Sequence, residues 1–113
     1  MLFSIRNQIQ IRIVEMKMKK IAVLFGGCST EYEVSLQSAH AILSNINKEQ
    51  YEVLPIGITR EGAWLRYCGE LTHLLDDSWW TWKEKCIPTV ISPDRLTHGM
   101  VEFTEEGIKI ISF

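Results

Sequence analysis

A strand that runs into two glycines and then into a helix is the feature that most limits how this chain can fold. It lies in the sequence KKIAVLFGGCSTEYEVSL. Residues 21–25 are apolar on both faces, as in a parallel strand that helices cover, and Gly26 and Gly27 end the run. Thr30 and Glu33 have the T-x-x-E spacing of a helix capping box. We therefore predict a strand, a glycine turn and a helix that begins directly after the turn.

The helix and a second strand extend this pattern. An apolar stripe at helical spacing continues to about Asn47, and residues 51–58 then form an apolar run of strand length. A strand, helix, strand order of this length indicates a right-handed parallel crossover. We predict a Rossmann-like α/β fold with a mainly parallel sheet, in which the first strand is not at the edge. The stripe consists of Leu36, Ala39, Leu43 and Ile46.

The second half of the sequence is divided into shorter pieces by glycines, aspartates and three prolines. GAWLRY and IPTVIS are typical of short strands, and ELTHLLDD is long enough for two helical turns. The strongest turn signal is TEEG, at residues 104–107, because it separates two apolar runs and Gly107 can adopt positive φ. We predict an antiparallel hairpin over residues 99–112 at the C-terminal end of the fold.

Length, charge and cysteine content exclude several classes of protein. The 113 residues, with 46% hydrophobic side chains, suit one globular domain. A net charge of -2 and a pI near 5.9 do not provide the basic surface that nucleic acid requires. No apolar run approaches the roughly 20 residues of a membrane span, so we expect neither nucleic acid nor membrane as a partner. Three widely spaced cysteines, Cys28, Cys68 and Cys86, favour the reducing cytoplasm over a disulfide framework.

The first 17 residues differ from the rest of the chain. Ile9, Ile11 and Ile13 alternate with polar residues as in a strand, yet Leu2 and Ile5 extend them at helical spacing. We interpret residues 1–17 as an N-terminal extension and residues 18–113 as the domain. The apolar end of the sequence, IISF, suggests either a cut in the middle of a longer protein or an end set by the choice of the expressed segment.

The glycine turn does not have the composition of a nucleotide site. A dinucleotide fingerprint needs G-x-G-x-x-G, whereas this turn reads GGCSTE, and it lacks the lysine of a phosphate-binding loop. Glu31 and Glu33 follow the glycines, and two carboxylates repel an anion but attract a cation. Glu33 has the spacing of a capping residue, so Glu31 is the better candidate to face a ligand.

Three segments, in the same order, resemble one enzyme family. KIAVLFGGCSTEYEVSLQSA resembles the opening of D-alanine:D-alanine ligases. YEVLPIGITREGAW and ISPDRLTHGM resemble the branch that includes the vancomycin-resistance D-alanine:D-lactate and D-alanine:D-serine ligases. The likeness covers residues 19–113 and implies the N-terminal, pre-ATP-grasp domain of a three-domain ATP-grasp enzyme. ATP and Mg would then bind in central and C-terminal domains that this chain does not contain.

The resemblance also implies substrate-binding residues. By position, Glu31 contacts the ammonium group of the first D-alanine and Val34 lines the same pocket. The turn at Gly26, Gly27 and Ser29 brings the backbone close to the substrate. The resemblance assigns no catalytic residue and no metal ligand to this chain, so we expect the isolated chain to be inactive and not to bind ATP. The implied partners are D-alanine, the remaining ligase domains and, as a further option, a second copy of the chain.

Two other functions stay open on the sequence alone. The chain could be a stand-alone flavodoxin-like module that binds a small molecule. Alternatively it could be a non-catalytic interaction or dimerisation domain that uses Trp79, Trp80 and Trp82. Clustered tryptophans more often fill the edge of a core or meet a neighbouring domain than stack on a ligand. Cys28 and His40 have no sequence neighbours that indicate catalysis.

Overall fold

The structure is a computed structural model that describes residues 19–94 and 99–112. The predicted extension over residues 1–17 therefore lies outside the described residues. The six strands and two helices are β1 (Lys19–Gly26), α1 (Tyr32–Asn45), β2 (Tyr51–Ile58), β3 (Trp64–Tyr67), α2 (Thr72–Leu75), β4 (Cys86–Ile91), β5 (Gly99–Thr104) and β6 (Gly107–Ser112), with short 3₁₀ turns at Trp79–Thr81 and Lys83–Lys85.

The first three elements form the predicted crossover unit. β1 pairs with β2 in parallel over its whole length, from Lys19 opposite Tyr51 to Gly26 opposite Ile58. α1 begins at Tyr32, directly after the glycine turn, as expected. It buries one side against the sheet, as the apolar stripe predicts. The buried residues of this side are Tyr32, Leu36, Ala39 and Leu43.

The prediction of a mainly parallel sheet is wrong. The strands lie in the order β1-β2-β3-β4-β5-β6, and every pair after β1 and β2 is antiparallel. The link from β2 to β3 is a tight turn, in which the Thr59 amide donates to the carbonyl of Ala63 at 2.8 Å. Such a turn reverses the chain, because a parallel crossover needs a dozen or more residues. The Rossmann-like pattern is thus limited to the first crossover.

The expected interior position of β1 is also wrong for the described part of the chain. β1 is the edge strand of the six-stranded sheet, and Leu24 is 44% exposed. The face of β1 that carries Val23 and Phe25 packs against the core beneath α1. On the other face Ala22 contacts a smaller cluster that includes Leu54. The continuous apolar run therefore predicted a more deeply buried strand than β1 is in the structure.

Trp79 joins the two halves of the fold. Its ring is fully buried and makes edge-to-face contacts with Phe25 and Tyr67, at centroid distances of 5.1 and 5.9 Å. A Cβ at Gly57 would lie 2.3 Å from this ring, so only glycine leaves room for it on β2. Trp79 thus fills the core as expected of clustered aromatics.

The C-terminal hairpin is confirmed. β5 and β6 pair antiparallel from Gly99 opposite Ser112 to Thr104 opposite Gly107. Gly107 has φ of 124°, the positive value that the turn requires. Within residues 19–94 and 99–112, no helix has the length and apolarity needed to cross a membrane.

Candidate functional site

The glycine turn is held close to the end of β2. Gly26 and Gly27 have φ of 87° and 105°, which L side chains rarely adopt. A Cβ at Gly26 would lie 2.2 Å from the carbonyl oxygen of Ile58, and the Gly27 amide donates to the same oxygen at 2.7 Å. The Gly26 amide donates to the Ser35 hydroxyl of α1 at 2.9 Å. The turn is therefore fixed to both β2 and α1.

The predicted capping box does not form. Glu31, not Thr30, occupies the N-cap position of α1, and no side chain caps the helix there. The helix starts one residue later than the T-x-x-E spacing requires, so Glu33 falls too early in the first turn to complete a box. The hydroxyl of Ser29 instead accepts a hydrogen bond from the Glu31 amide at 2.8 Å. Ser29 thus orders the backbone that carries Glu31.

The two glutamates have different surroundings. Glu33 Oε2 lies 3.6 Å from Nη2 of Arg60, although both side chains are largely exposed. In residues 19–94 and 99–112, the Glu31 carboxylate makes no hydrogen bond or ion pair. Val34 is 58% exposed and lies three residues further along α1, on the side of Glu31. The structure therefore presents Glu31 and Val34 together at the surface beside the turn.

A polar cluster that the sequence did not indicate lies behind this surface. The Tyr32 hydroxyl donates to Asp77 Oδ1 at 2.8 Å and accepts from Nε1 of Trp79 at 3.1 Å. Arg60 donates through Nη1 to Asp77 Oδ2 at 2.6 Å, and its guanidinium carbon lies 3.9 Å from the centre of the Tyr32 ring. Tyr32 and Arg60 are far in sequence from each other and from Asp77 and Trp79, so only the fold brings the cluster together.

The electrostatics of the cluster keep Tyr32 protonated. Burial, followed by the hydrogen bond to Asp77, raises the pKa of Tyr32 to about 12. The hydrogen bond to Asp77 also raises the pKa of Arg60, so this side chain is a permanent cation. Tyr32 can therefore act as a donor to Asp77 at every physiological pH.

The space beside the turn does not suit a nucleotide. A shallow pocket lined by Tyr32, Thr59, Arg60, Glu61 and Trp80 has a volume of about 70 Å³. Sites for drug-sized or cofactor-sized ligands usually have at least about 300 Å³. This pocket is therefore too small for a nucleotide, and Glu31 is not one of its lining residues.

Other candidate residues do not converge on a reactive centre. No group of three or more His, Cys, Asp and Glu side chains that could hold a metal ion occurs within the described ranges. Cys28 and Cys68 are exposed free thiols, and Cys86 is half-buried. His73 stacks on Trp82 at 4.7 Å between ring centroids. Cytoplasmic localisation, which the cysteine content favoured, stays a prediction.

Comparison with known proteins decides the family. The family model described as "D-ala D-ala ligase N-terminus" matches residues 20–106. The chain belongs to this family. It is 48% identical over 92 residues to the D-alanine–D-alanine ligase of Caldicellulosiruptor bescii, a match that covers 81% of this chain and 24% of the relative. It is 44% identical over 85 residues to the vancomycin/teicoplanin A-type resistance protein VanA of Enterococcus faecium, covering 73% of this chain and 22% of that protein.

Solved structures agree with this assignment. The VanG D-Ala:D-Ser ligase of Enterococcus faecalis matches with a TM-score of 0.78 and 46% identity, over 85% of this chain and 27% of that one. The D-alanine–D-alanine ligase of Coxiella burnetii matches with a TM-score of 0.57 and 28% identity, over 68% of this chain and 22% of that one. The domain is thus the N-terminal domain of the ligase family with Van-type relatives. The chain spans about a quarter of the length of these relatives.

Proposed function

We propose that this chain provides the first D-alanine subsite of an ATP-dependent ligase that acts in peptidoglycan precursor synthesis. In the proposed reaction, ATP phosphorylates the carboxylate of the first D-alanine. The amine of D-alanine or D-serine, or the hydroxyl of D-lactate, then attacks the acyl phosphate and releases phosphate. The chain would perform this role joined to the further domains of the ligase.

The observation that carries the proposal is the carboxylate of Glu31 at a glycine turn, which is exposed and makes no hydrogen bond or ion pair with the residues that the structure describes. A carboxylate beside a bound ammonium forms a charge-assisted hydrogen bond, which is stronger than a neutral one. Gly27 supports a close approach, because a Cβ there would meet nothing within 4 Å and the turn is open on that side. Val34 would contact the methyl group or backbone of the substrate.

ATP and Mg fit this chain poorly and are assigned to the other domains. The turn lacks the lysine of a phosphate-binding loop and is followed directly by Glu31 and Glu33, and no cluster of metal-ligating side chains occurs in the part of the chain that the structure describes. We expect titration of the 113-residue chain with millimolar MgATP in a calorimeter to give no saturable heat. A micromolar dissociation constant would contradict this division of roles.

The direct test uses a hybrid ligase, in which this chain is followed by the part of Enterococcus faecalis VanG that lies beyond the matched segment. Glu31→Gln keeps the shape of the side chain and removes its charge. We expect binding of the first D-alanine to weaken by about 1.5 to 3 kcal/mol, the range for hydrogen bonds to charged groups. The KM for D-alanine, measured at saturating D-serine, should therefore rise far more than the KM for ATP.

Glu33→Gln is the matched control, because Glu33 differs from Glu31 by its exposed contact with Arg60. Exposed ion pairs contribute about 0 to 1 kcal/mol, so this change should leave the KM for D-alanine within about twofold. If Glu33→Gln raises that KM and Glu31→Gln does not, the two carboxylates have the opposite roles. If neither change raises it, or if the folded hybrid is inactive, the proposed subsite is wrong.

A second candidate function, homodimerisation, is favoured by the outer face of the C-terminal hairpin. Phe103 lies opposite Ile108, and Val101 lies opposite Ile110, so these side chains share one face. Ile108 is 70% and Ile110 is 59% exposed. We expect Ile108→Lys to lower the average mass in sedimentation equilibrium if this face joins two copies. An unchanged monomeric mass in both proteins would rule the dimer out.

A further inference from the structure

We propose that Asp77 and Arg60 are positioning residues for the first D-alanine subsite. They hold the Tyr32 side chain, and Tyr32 fixes the start of α1 so that the adjacent Glu31 presents its carboxylate to the substrate ammonium. This inference rests on the proposed function of Glu31. It assigns a role to a cluster that lies behind the subsite.

The first step is that Glu31 depends on its neighbours for its orientation. Its carboxylate has no partner within residues 19–94 and 99–112, so its direction follows from the backbone at the start of α1. That backbone is fixed on one side by the Ser29 hydroxyl. On the other side it is fixed by Tyr32, whose side chain is buried with only 2% exposed. A shift of Tyr32 would therefore move Glu31.

The second step is that Tyr32 is held at both the ring and the hydroxyl. The hydroxyl has one acceptor, Asp77, and one donor, Trp79. The Arg60 guanidinium lies over the ring, where a cation is attracted to the π-system. The other edge of the ring packs under the turn, because a Cβ at Gly26 would lie 3.2 Å from Cε2 of Tyr32. The cluster thus connects directly to both the turn and the helix start.

The third step is the backbone of Asp77. It has φ of 58°, the sole positive value at a non-glycine position in the described ranges. Asp adopts this region more often than most residues, because its short polar side chain can form nearby hydrogen bonds. Here the carboxylate of Asp77 bonds Tyr32 with one oxygen and Arg60 with the other. This geometry lets Asp77 connect the segment after α2 with the first residue of α1.

The pairing of Arg60 also separates the roles of the two glutamates. Its Nη2 lies near Glu33 and its Nη1 bonds Asp77. Arg60 therefore offsets the charge of Glu33, while Glu31 keeps its full charge for a cationic group. Of the two carboxylates, Glu31 is therefore the one without a charged partner within the described residues.

The test is a double-mutant cycle in the hybrid ligase, with D-alanine varied at saturating D-serine. We expect Asp77→Ala to raise the KM for D-alanine about tenfold, which corresponds to about 1.4 kcal/mol. The KM for ATP should change by less than about twofold. Because Asp77 acts through Glu31, adding Asp77→Ala to Glu31→Gln should raise the KM no further than Glu31→Gln alone.

Asp77→Asn is the conservative variant, because Asn also tolerates positive φ and keeps an acceptor for Tyr32. It should recover most of the affinity that Asp77→Ala loses. If Asp77→Ala does not fold, Tyr32→Phe removes only the hydroxyl and should show the same lack of additivity with Glu31→Gln.

The outcomes distinguish the two proposals. If Glu31→Gln leaves the KM for D-alanine unchanged, the proposed function itself fails. If Glu31→Gln raises that KM but Asp77→Ala and Tyr32→Phe do not, or if their effects multiply with it, only the positioning role is wrong. A lower unfolding temperature with an unchanged KM would show that the cluster is merely structural.

Discussion

The two regions of this domain, residues 19–58 and residues 64–112, differ in how they are built. The first is a parallel crossover unit whose turn presents the candidate subsite. The second is antiparallel throughout and contains none of the residues proposed for the subsite. Yet the first region is incomplete without the second, because Phe25 packs on Trp79 and Tyr32 bonds Asp77. The difference shows that a site on one unit can depend on contacts from another.

The largest expected effect is a loss of stability in the second region that leaves the subsite of the first region unchanged. Arg66 Nη1 bonds Glu102 Oε2 at 2.6 Å, and the Glu102 side chain is only 2% exposed. Arg66→Met leaves that charge without its partner and should lower the free energy of unfolding by about 3 kcal/mol, as measured with urea. The pair lies across the second region, so the KM for D-alanine of the folded hybrid ligase should stay unchanged.

The matched control is the double variant Arg66→Met with Glu102→Met, which removes both charges. Replacement of a whole buried pair by apolar residues is often close to neutral, so most of the lost stability should return. A raised KM for D-alanine in the folded single variant would contradict the separation of the two regions. It would show that the subsite also depends on β3 and β5, which carry Arg66 and Glu102.

The next largest effect is expected for a change in the first region, at Gly26, which should lower both the stability of the domain and its affinity for D-alanine. A Cβ at Gly26 meets the Ile58 carbonyl at 2.2 Å and the backbone has positive φ. Gly26→Ala should therefore cost about 2 to 3 kcal/mol of stability and also raise the KM for D-alanine. Urea unfolding and steady-state kinetics measure the two quantities.

Gly27→Ala is the control for Gly26→Ala, because Gly27 also has positive φ but a Cβ there meets nothing within 4 Å. It should cost only about 1 to 2 kcal/mol of stability, the strain of the left-handed backbone. Equal losses for the two variants would mean that the close approach to β2 contributes nothing.

The smallest effect is on the pH dependence of stability. Burial is the main cause that raises the pKa of Tyr32 and of Tyr67, each to about 12. A raised pKa favours the protonated form in the folded state. This stabilisation is fully present below the ordinary tyrosine pKa of about 10 and is lost as the pH rises toward 12.

Tyr32→Phe and Tyr67→Phe should each reduce this loss, as measured by urea unfolding between pH 9 and pH 11. Comparable reductions would show that both regions rely on a buried phenol. If neither variant changes the pH dependence, the hydroxyls ionise equally well in the folded and unfolded states.

Local signals explain which predictions are confirmed. The turn after β1, the start of α1 near residue 32 and the hairpin around Gly107 each follow from a few adjacent residues. The capping box was wrong because the same few residues offer two competing hydroxyls, and Ser29 rather than Thr30 bonds the backbone.

The pairing of distant segments could not be predicted in the same way. The apolar run of β1 is equally consistent with an interior or an edge position, because periodicity reports which faces are apolar and not which strands lie beside them. The mainly parallel sheet was inferred from one crossover, and the short link between β2 and β3 reversed the direction of all later pairing. Strand order is a property of the whole fold.

The sequence by itself determined the glycine turn and the helix that follows it, because backbone conformation at these residues depends on steric limits within a few bonds. Only the tertiary structure decided that Arg60, Asp77 and Trp79 meet at Tyr32. These residues lie up to 47 positions apart in the chain. Their contacts arise when the core closes around Trp79, and no local preference encodes them.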